Sequence, residues 1–136
     1  MKKILLILLI IGLYSSTAFA DRGVAASKAI KAGFELERRG YTVREIPGTY
    51  LRQGRYRTYN RYLYGGNCYA IVGVGDNRVR DLDVIIWNRN WRRVARDNDS
   101  SDVTVASFCP RRSGTYRIRT KMYRGSGHFY QVIAYR

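Results

Sequence analysis

The chain has 136 residues, 46% apolar and 13% aromatic, with 25 Lys and Arg against 10 Asp and Glu, for a formal net charge of +15. That length suits one domain able to bury about two thirds of the surface its unfolded form exposes. With one histidine and two cysteines, a chain whose cysteines are paired has no material for a Cys/His nucleophile or a zinc site of Cys and His ligands.

At the start, Lys2 and Lys3 precede an apolar run from Ile4 to Leu13, and small residues follow up to Ala18-Phe19-Ala20. This pattern predicts a secretory signal peptide over 1–20, cleaved to give a mature chain from about Asp21. The run is far shorter than the roughly 20 residues that span a bilayer, so no transmembrane segment is expected after cleavage. The compartment is then the periplasm or the exterior, where Cys68 and Cys109 are expected to form a disulfide. Without Lys2 and Lys3 the net charge is still +13, nearly all of it arginine. The guanidinium fork matches phosphate and carboxylate bidentately, which favours anionic partners, although charge alone also serves solubility.

From Gly23 to Arg39, Ala26, Ile30 and Phe34 recur at helical spacing and predict an amphipathic helix within 21–40, capped by Gly40 and packed on a sheet. The remainder, 41–136, reads as one β domain. Tyr41 to Ile46 alternates as a strand, and Pro47-Gly48 suits the centre of a type II turn. Between Tyr50 and Tyr64, five tyrosines interleave with Arg52, Arg55, Arg57 and Arg61. As a strand, this stretch puts Arg55, Arg57, Tyr59 and Arg61 on one face and Tyr56, Thr58, Asn60, Tyr62 and Tyr64 on the other. Aromatic and guanidinium groups together can stack on rings and grip anions; the plainer reading is cross-strand tyrosine pairs with arginines along a solvated edge.

Tyr69 to Val74 is apolar on both faces and predicts a central buried strand, with Leu82 to Trp87 similar. Asn88 to Asn90, between Trp87 and Trp91, predicts a hairpin turn, and 97–102 a solvent loop. Thr115 to Tyr123 alternates, with Tyr116, Ile118 and Met122 inward and Arg117, Arg119 and Lys121 outward. Gly125-Ser126-Gly127 turns the chain into a last strand from His128 to Tyr135. Asp76, Asp81, Asp83, Asp97, Asp99 and Asp102 concentrate the acid in one region; of these, Asp81, Asp83, Asp97 and Asp99 are weak candidates for a calcium site, with turn capping and arginine pairing the plainer role. No nucleophile motif accompanies His128, which reads as structural or exposed.

The ordered series C-Y-x-I-V-x-V-G-D (from Cys68), V-x-D-L-D-V (from Val79), V-A-x-D (from Val94), V-x-x-F-C-P (from Val105), S-G-x-Y-R-I (from Ser113) and G-S-G-x-F (from Gly125) resembles the bacterial pre-peptidase C-terminal domain from about Gly66 to Tyr135. That resemblance implies a jelly-roll β-sandwich, found appended to secreted peptidases or alone in exported proteins. The expectation is an all-β, jelly-roll-like antiparallel sandwich of about eight strands with one N-terminal helix. Its expected role is a non-catalytic binding module without a cofactor, holding an anionic polymer (lipopolysaccharide, acidic glycan or nucleic acid) through Arg55, Arg57, Tyr59, Arg61, Arg117, Arg119 and Lys121. The alternative is an accessory or inhibitor subunit of another exported protein.

Overall fold

The computed structural model describes residues 21–97 and 99–136. The expected signal peptide and Asn98 lie outside them. Residues 21–38 are helical and form α1, which ends where Gly40 takes φ 85°, a left-handed value that glycine adopts without strain.

Nine strands follow among the described residues: β1 (Thr42–Glu45), β2 (Gly48–Leu51), β3 (Tyr56–Leu63), β4 (Tyr69–Gly75), β5 (Asp81–Trp87), β6 (Arg93–Asp97), β7 (Val103–Phe108), β8 (Gly114–Arg124) and β9 (Gly127–Tyr135). They form two antiparallel sheets. One has the order β1-β9-β4-β7, with β2 also beside β9, and the other β3-β8-β5-β6. From β2 onward every connection except the β5–β6 hairpin crosses between the sheets, and the two orders are those of a jelly roll, as the sequence led us to expect.

Three clusters hold these layers together. Between the sheets, Leu63, Tyr69, Ile71, Val84, Ile86, Ala106, Tyr116, Ile118 and Ile133 form the main core. Leu51, Val79, Leu82, Met122 and Phe129 extend it at one end. On the outer side of the first sheet, Ala70, Val72, Val74, Val132 and Ala134 pack under Ala29 and Leu36 of α1. Strand β4 is therefore buried along its whole length, which is why its sequence does not alternate. Within the core, Gln131 on β9 donates through Nε2 to Thr120 Oγ1 on β8 at 3.0 Å, a buried polar link from sheet to sheet.

Two sequence expectations are corrected. The helix does not bury Ile30 and Phe34, which are 53% and 63% exposed. Its sheet-facing stripe is Leu36 with the small residues Ala25, Ala29 and Gly33, which let the helix lie close to the strands; an added Cβ at Gly33 would sit 3.6 Å from Val43. Nor does Pro47-Gly48 make a turn. Strands β1 and β2 run along β9 one after the other, Val43 opposite Ala134 and Thr49 opposite Phe129. Pro47 interrupts the ladder only locally, and its carbonyl accepts Gln131 N–H at 2.8 Å. Gly48 is needed for space rather than conformation, because a Cβ there would meet the Phe129 carbonyl oxygen at 2.5 Å.

The cysteines stand just outside the paired ends of β4 and β7, where Tyr69 faces Phe108, and form the Cys68–Cys109 disulfide.

Candidate functional site

Of the four sheet faces, two enclose the core and one lies under α1. The outer face of the second sheet is left open by the described residues. The pairing of β3 with β8 decides which side chains stand on it, because residues directly opposite each other in an antiparallel ladder point to the same side. Tyr56 faces Lys121, Thr58 faces Arg119 and Asn60 faces Arg117. Across β8, the partners on β5 are Asp83, Ile85 and Trp87. Residues Arg117, Arg119 and Lys121 thus line the middle of the open face, as their alternation with Tyr116, Ile118 and Met122 implies.

Each cation leans on an aromatic ring. Arg119 Cζ lies 4.0 Å from the Tyr56 centroid and 4.8 Å from that of Trp87, with Nε donating to Thr58 Oγ1 at 3.1 Å. Arg117 Cζ lies 4.1 Å from the Trp91 centroid, and Lys121 Nζ is 4.3 Å from that of Tyr123. Among the described residues none of the three forms a salt bridge. Such stacking restricts long side chains in place while leaving polar edges free to bind.

Beneath Lys121, Asp83 is only 3% exposed. Burial first and the neighbouring Asp81 second push its carboxyl up to about 6, against the opposing pull of Arg96 and Lys121. Its Oδ1 has no hydrogen-bond partner among the described residues. Two of the other calcium candidates have structural contacts through their carboxylates. Asp97 accepts Asp99 N–H at 3.1 Å and also Val105 N–H, organising the β6–β7 loop, and Asp81 lies 3.8 Å from Arg124. Among the described residues no three His, Cys, Asp or Glu side chains converge to hold a metal ion.

The arginines of the Tyr/Arg stretch do not join this face. The stretch is not one strand: Arg52 to Arg55 form a turn, with Gly54 at φ 79°, that carries the chain from the first sheet to the second. Arg55 lies in that turn. Arg57, Tyr59 and Arg61 point to the opposite side of β3, toward the edge of the sandwich, because they face Thr120, Ile118 and Tyr116 of the core-facing row. There the two guanidinium groups flank the Tyr59 ring at 5.8 and 5.2 Å, and Arg61 binds Glu45. Of the six expected cations only Arg117, Arg119 and Lys121 stand on this face, and they are joined there by Arg96 of β6, opposite Ile85, and by Tyr56, Thr58, Trp87 and Trp91, none of which the sequence singled out as contacts. The alternation of β3 was readable; its register against β8, which assigns each face, was not.

One end of the open face runs into a cleft of about 710 Å³ between the C-terminal end of β3, the β5–β6 turn and the loop entering β8. On the far side of the molecule, His128 stacks edge-on against Tyr50 at 5.2 Å, and its Nδ1 is 3.6 Å from Asp76 Oδ2. The buried Asp76 carboxylate is already committed to the backbone N–H groups of Arg78 (2.9 Å) and His128 (2.7 Å). No helix among the described residues is long and apolar enough to cross a membrane.

No family model matches the chain, and no curated protein does. Among the solved structures, the chain is similar to a de novo designed double-stranded β-helix determined by solution NMR, at 14% identity and a TM-score of 0.38, over 66% of this chain and 99% of that one.

Proposed function

We propose that the chain is an exported, non-catalytic binding module that holds an anionic polymer against the open face of its second sheet. The observation that carries this reading is the row Arg117, Arg119 and Lys121, each stacked on a ring and none neutralised by a salt bridge among the described residues. A rigid strand presents them at every second residue, a spacing that suits a polymer with repeated charge. The remaining net charge of +13 after the expected leader draws polyanions toward this face and holds cationic partners off. The resemblance of 66–135 to the pre-peptidase C-terminal family, together with the expected signal peptide, supports export and a binding role.

The test is a pull-down from envelope extract at low and high salt with the mature chain as bait. Polymer capture collapses as salt rises, because displaced counterions drive it. Capture of a protein that survives high salt would replace this reading with that of an accessory subunit.

A further inference from the structure

The β5–β6 turn is built against a backbone preference. Trp91 N–H donates to the Asn88 carbonyl at 3.1 Å and Asn88 N–H to that of Arg92 at 2.9 Å. Asn88 Oδ1 accepts the amides of Asn90 and Arg92 at 2.9 and 3.0 Å. The residue that closes this turn sits at φ 58°, the left-handed region where glycine is at home; here it is Trp91, the one non-glycine residue with positive φ among the described residues. A bulky side chain in that conformation costs stability.

Core packing does not account for that cost, since Trp91 is 56% exposed. The indole instead lies over Arg117, with its centroid 4.1 Å from Cζ, and meets Trp87 edge-on at 6.1 Å. Arg117 Nη1 donates to the Asn88 and Arg89 carbonyls at 3.2 and 3.0 Å. The turn therefore holds one guanidinium by a ring and two carbonyls. Its Nε and Nη2 make no hydrogen bond among the described residues.

Arg117 stands in the wall of the 710 Å³ cleft, with Arg89, Arg112, Asn90, Tyr62 and Thr115. Among the described residues no Asp or Glu lines it. The loop carrying Arg112 is fastened, with the Arg112 carbonyl accepting Tyr116 OH at 2.9 Å and Ser113 Oγ accepting Gly65 N–H at 2.9 Å. Three arginines call for an anion. The volume falls in the range of roughly 300–1,000 Å³ typical of small-molecule sites, well beyond the needs of a bare ion. Amide and hydroxyl groups beside the arginines suit a ring bearing hydroxyls.

We propose that this cleft is a subsite for an acidic sugar residue, its carboxylate bound by the free edge of Arg117, and that Trp91 is the positioning residue that keeps Arg117 in place. The inference rests on the reading of the open face as a polyanion site and narrows the polymer to an acidic glycan.

The experiment titrates the mature chain with digalacturonate, the neutral disaccharide galactobiose and inorganic phosphate at low ionic strength, following tryptophan fluorescence and heat. Digalacturonate should bind at least about tenfold more tightly than either control, and Arg117→Gln should lose about that factor. Trp91→Gly should lose a similar factor while its melting temperature stays level or rises, because glycine relieves the left-handed position. Trp91→Tyr should keep most of the affinity. A Trp91→Gly variant that melts lower but binds like wild type would make the residue merely structural and overturn the proposal. So would phosphate or galactobiose binding as tightly as digalacturonate. Parallel titrations with polygalacturonate and DNA separate the two readings: polymers that bind wild type and Trp91→Gly equally but weaken with Arg119→Ser, a residue outside the cleft wall, sink the cleft and leave the open face standing, whereas no polymer binding to wild type sinks both.

Discussion

Arg61 on β3 grips Glu45 on β1 through two hydrogen bonds, Nε to Oε1 at 2.5 Å and Nη2 to Oε2 at 2.9 Å, tying the edge of one sheet to the edge of the other. Both side chains are mostly buried, at 27% and 29% exposure, so solvent screens the pair less than a surface bridge. Arg61→Ser should cost about 1–2 kcal/mol in urea unfolding. Arg55→Ser, in the exposed turn, should change stability by less than about 0.5 kcal/mol. Equal effects would mean that Arg61 is as loosely held as its neighbours.

The disulfide fastens the adjacent ends of β4 and β7 within the first sheet. Cys68 and Cys109 are 41 residues apart in sequence. Closing such a loop restricts the unfolded chain and should contribute roughly 3–4 kcal/mol. The oxidatively folded protein should show no free thiol when unfolded without reductant, and its melting temperature should fall on reduction. Labelling of two thiols before reduction would contradict the pairing.

Asp83 makes stability depend on pH in an uncommon direction. Its native carboxyl titrates at about 6, above the ordinary 3.8, so the folded state holds a proton that the unfolded state has released. Stability is therefore full below about 4 and declines as pH rises through about 6. Asp83→Asn should stabilise the protein at pH 7.5 by about 1–3 kcal/mol and change little at pH 4. Urea midpoints at the two pH values check this, and a loss of stability in the variant at pH 7.5 would show that the charged carboxylate is favourable.

The Gln131–Thr120 link carries a different signature. Both residues are fully buried. Thr120→Val leaves the Gln131 amide without its acceptor, which should cost about 1–3 kcal/mol. Replacing both, with Gln131→Met added, should cost less than the two single changes together, since no orphaned donor remains. Strict additivity in this cycle would mean that the bond contributes nothing net.

These residues also mark where local pattern stops informing. The β8 alternation, the buried β4 and the turn at Asn88 were legible because period, length and turn chemistry are local. The order of the strands within each sheet was not readable from any one strand. The helix was legible, but its buried side was not: hydropathy weighs Ile30 and Phe34 heavily, whereas close packing on a sheet selects the smaller Ala25, Ala29 and Gly33. The candidate site was half legible. Its cations on β8 could be named, but Arg57 and Arg61 were assigned to the same side because nothing local reveals that Asn60, not Arg61, stands opposite Arg117.

Polyanion binding at the open face is the property on which the proposed role depends. The most direct measurement is the affinity of the mature chain for one defined acidic polymer across a salt series, for wild type and for Arg117→Ser/Arg119→Ser. Log affinity for wild type should fall linearly with log salt, and the double variant, still folded by near-ultraviolet circular dichroism, should bind more weakly with a slope shallower by about 1–2. A variant that matches wild type in affinity and slope would contradict the account and leave the row on β8 a solvated surface.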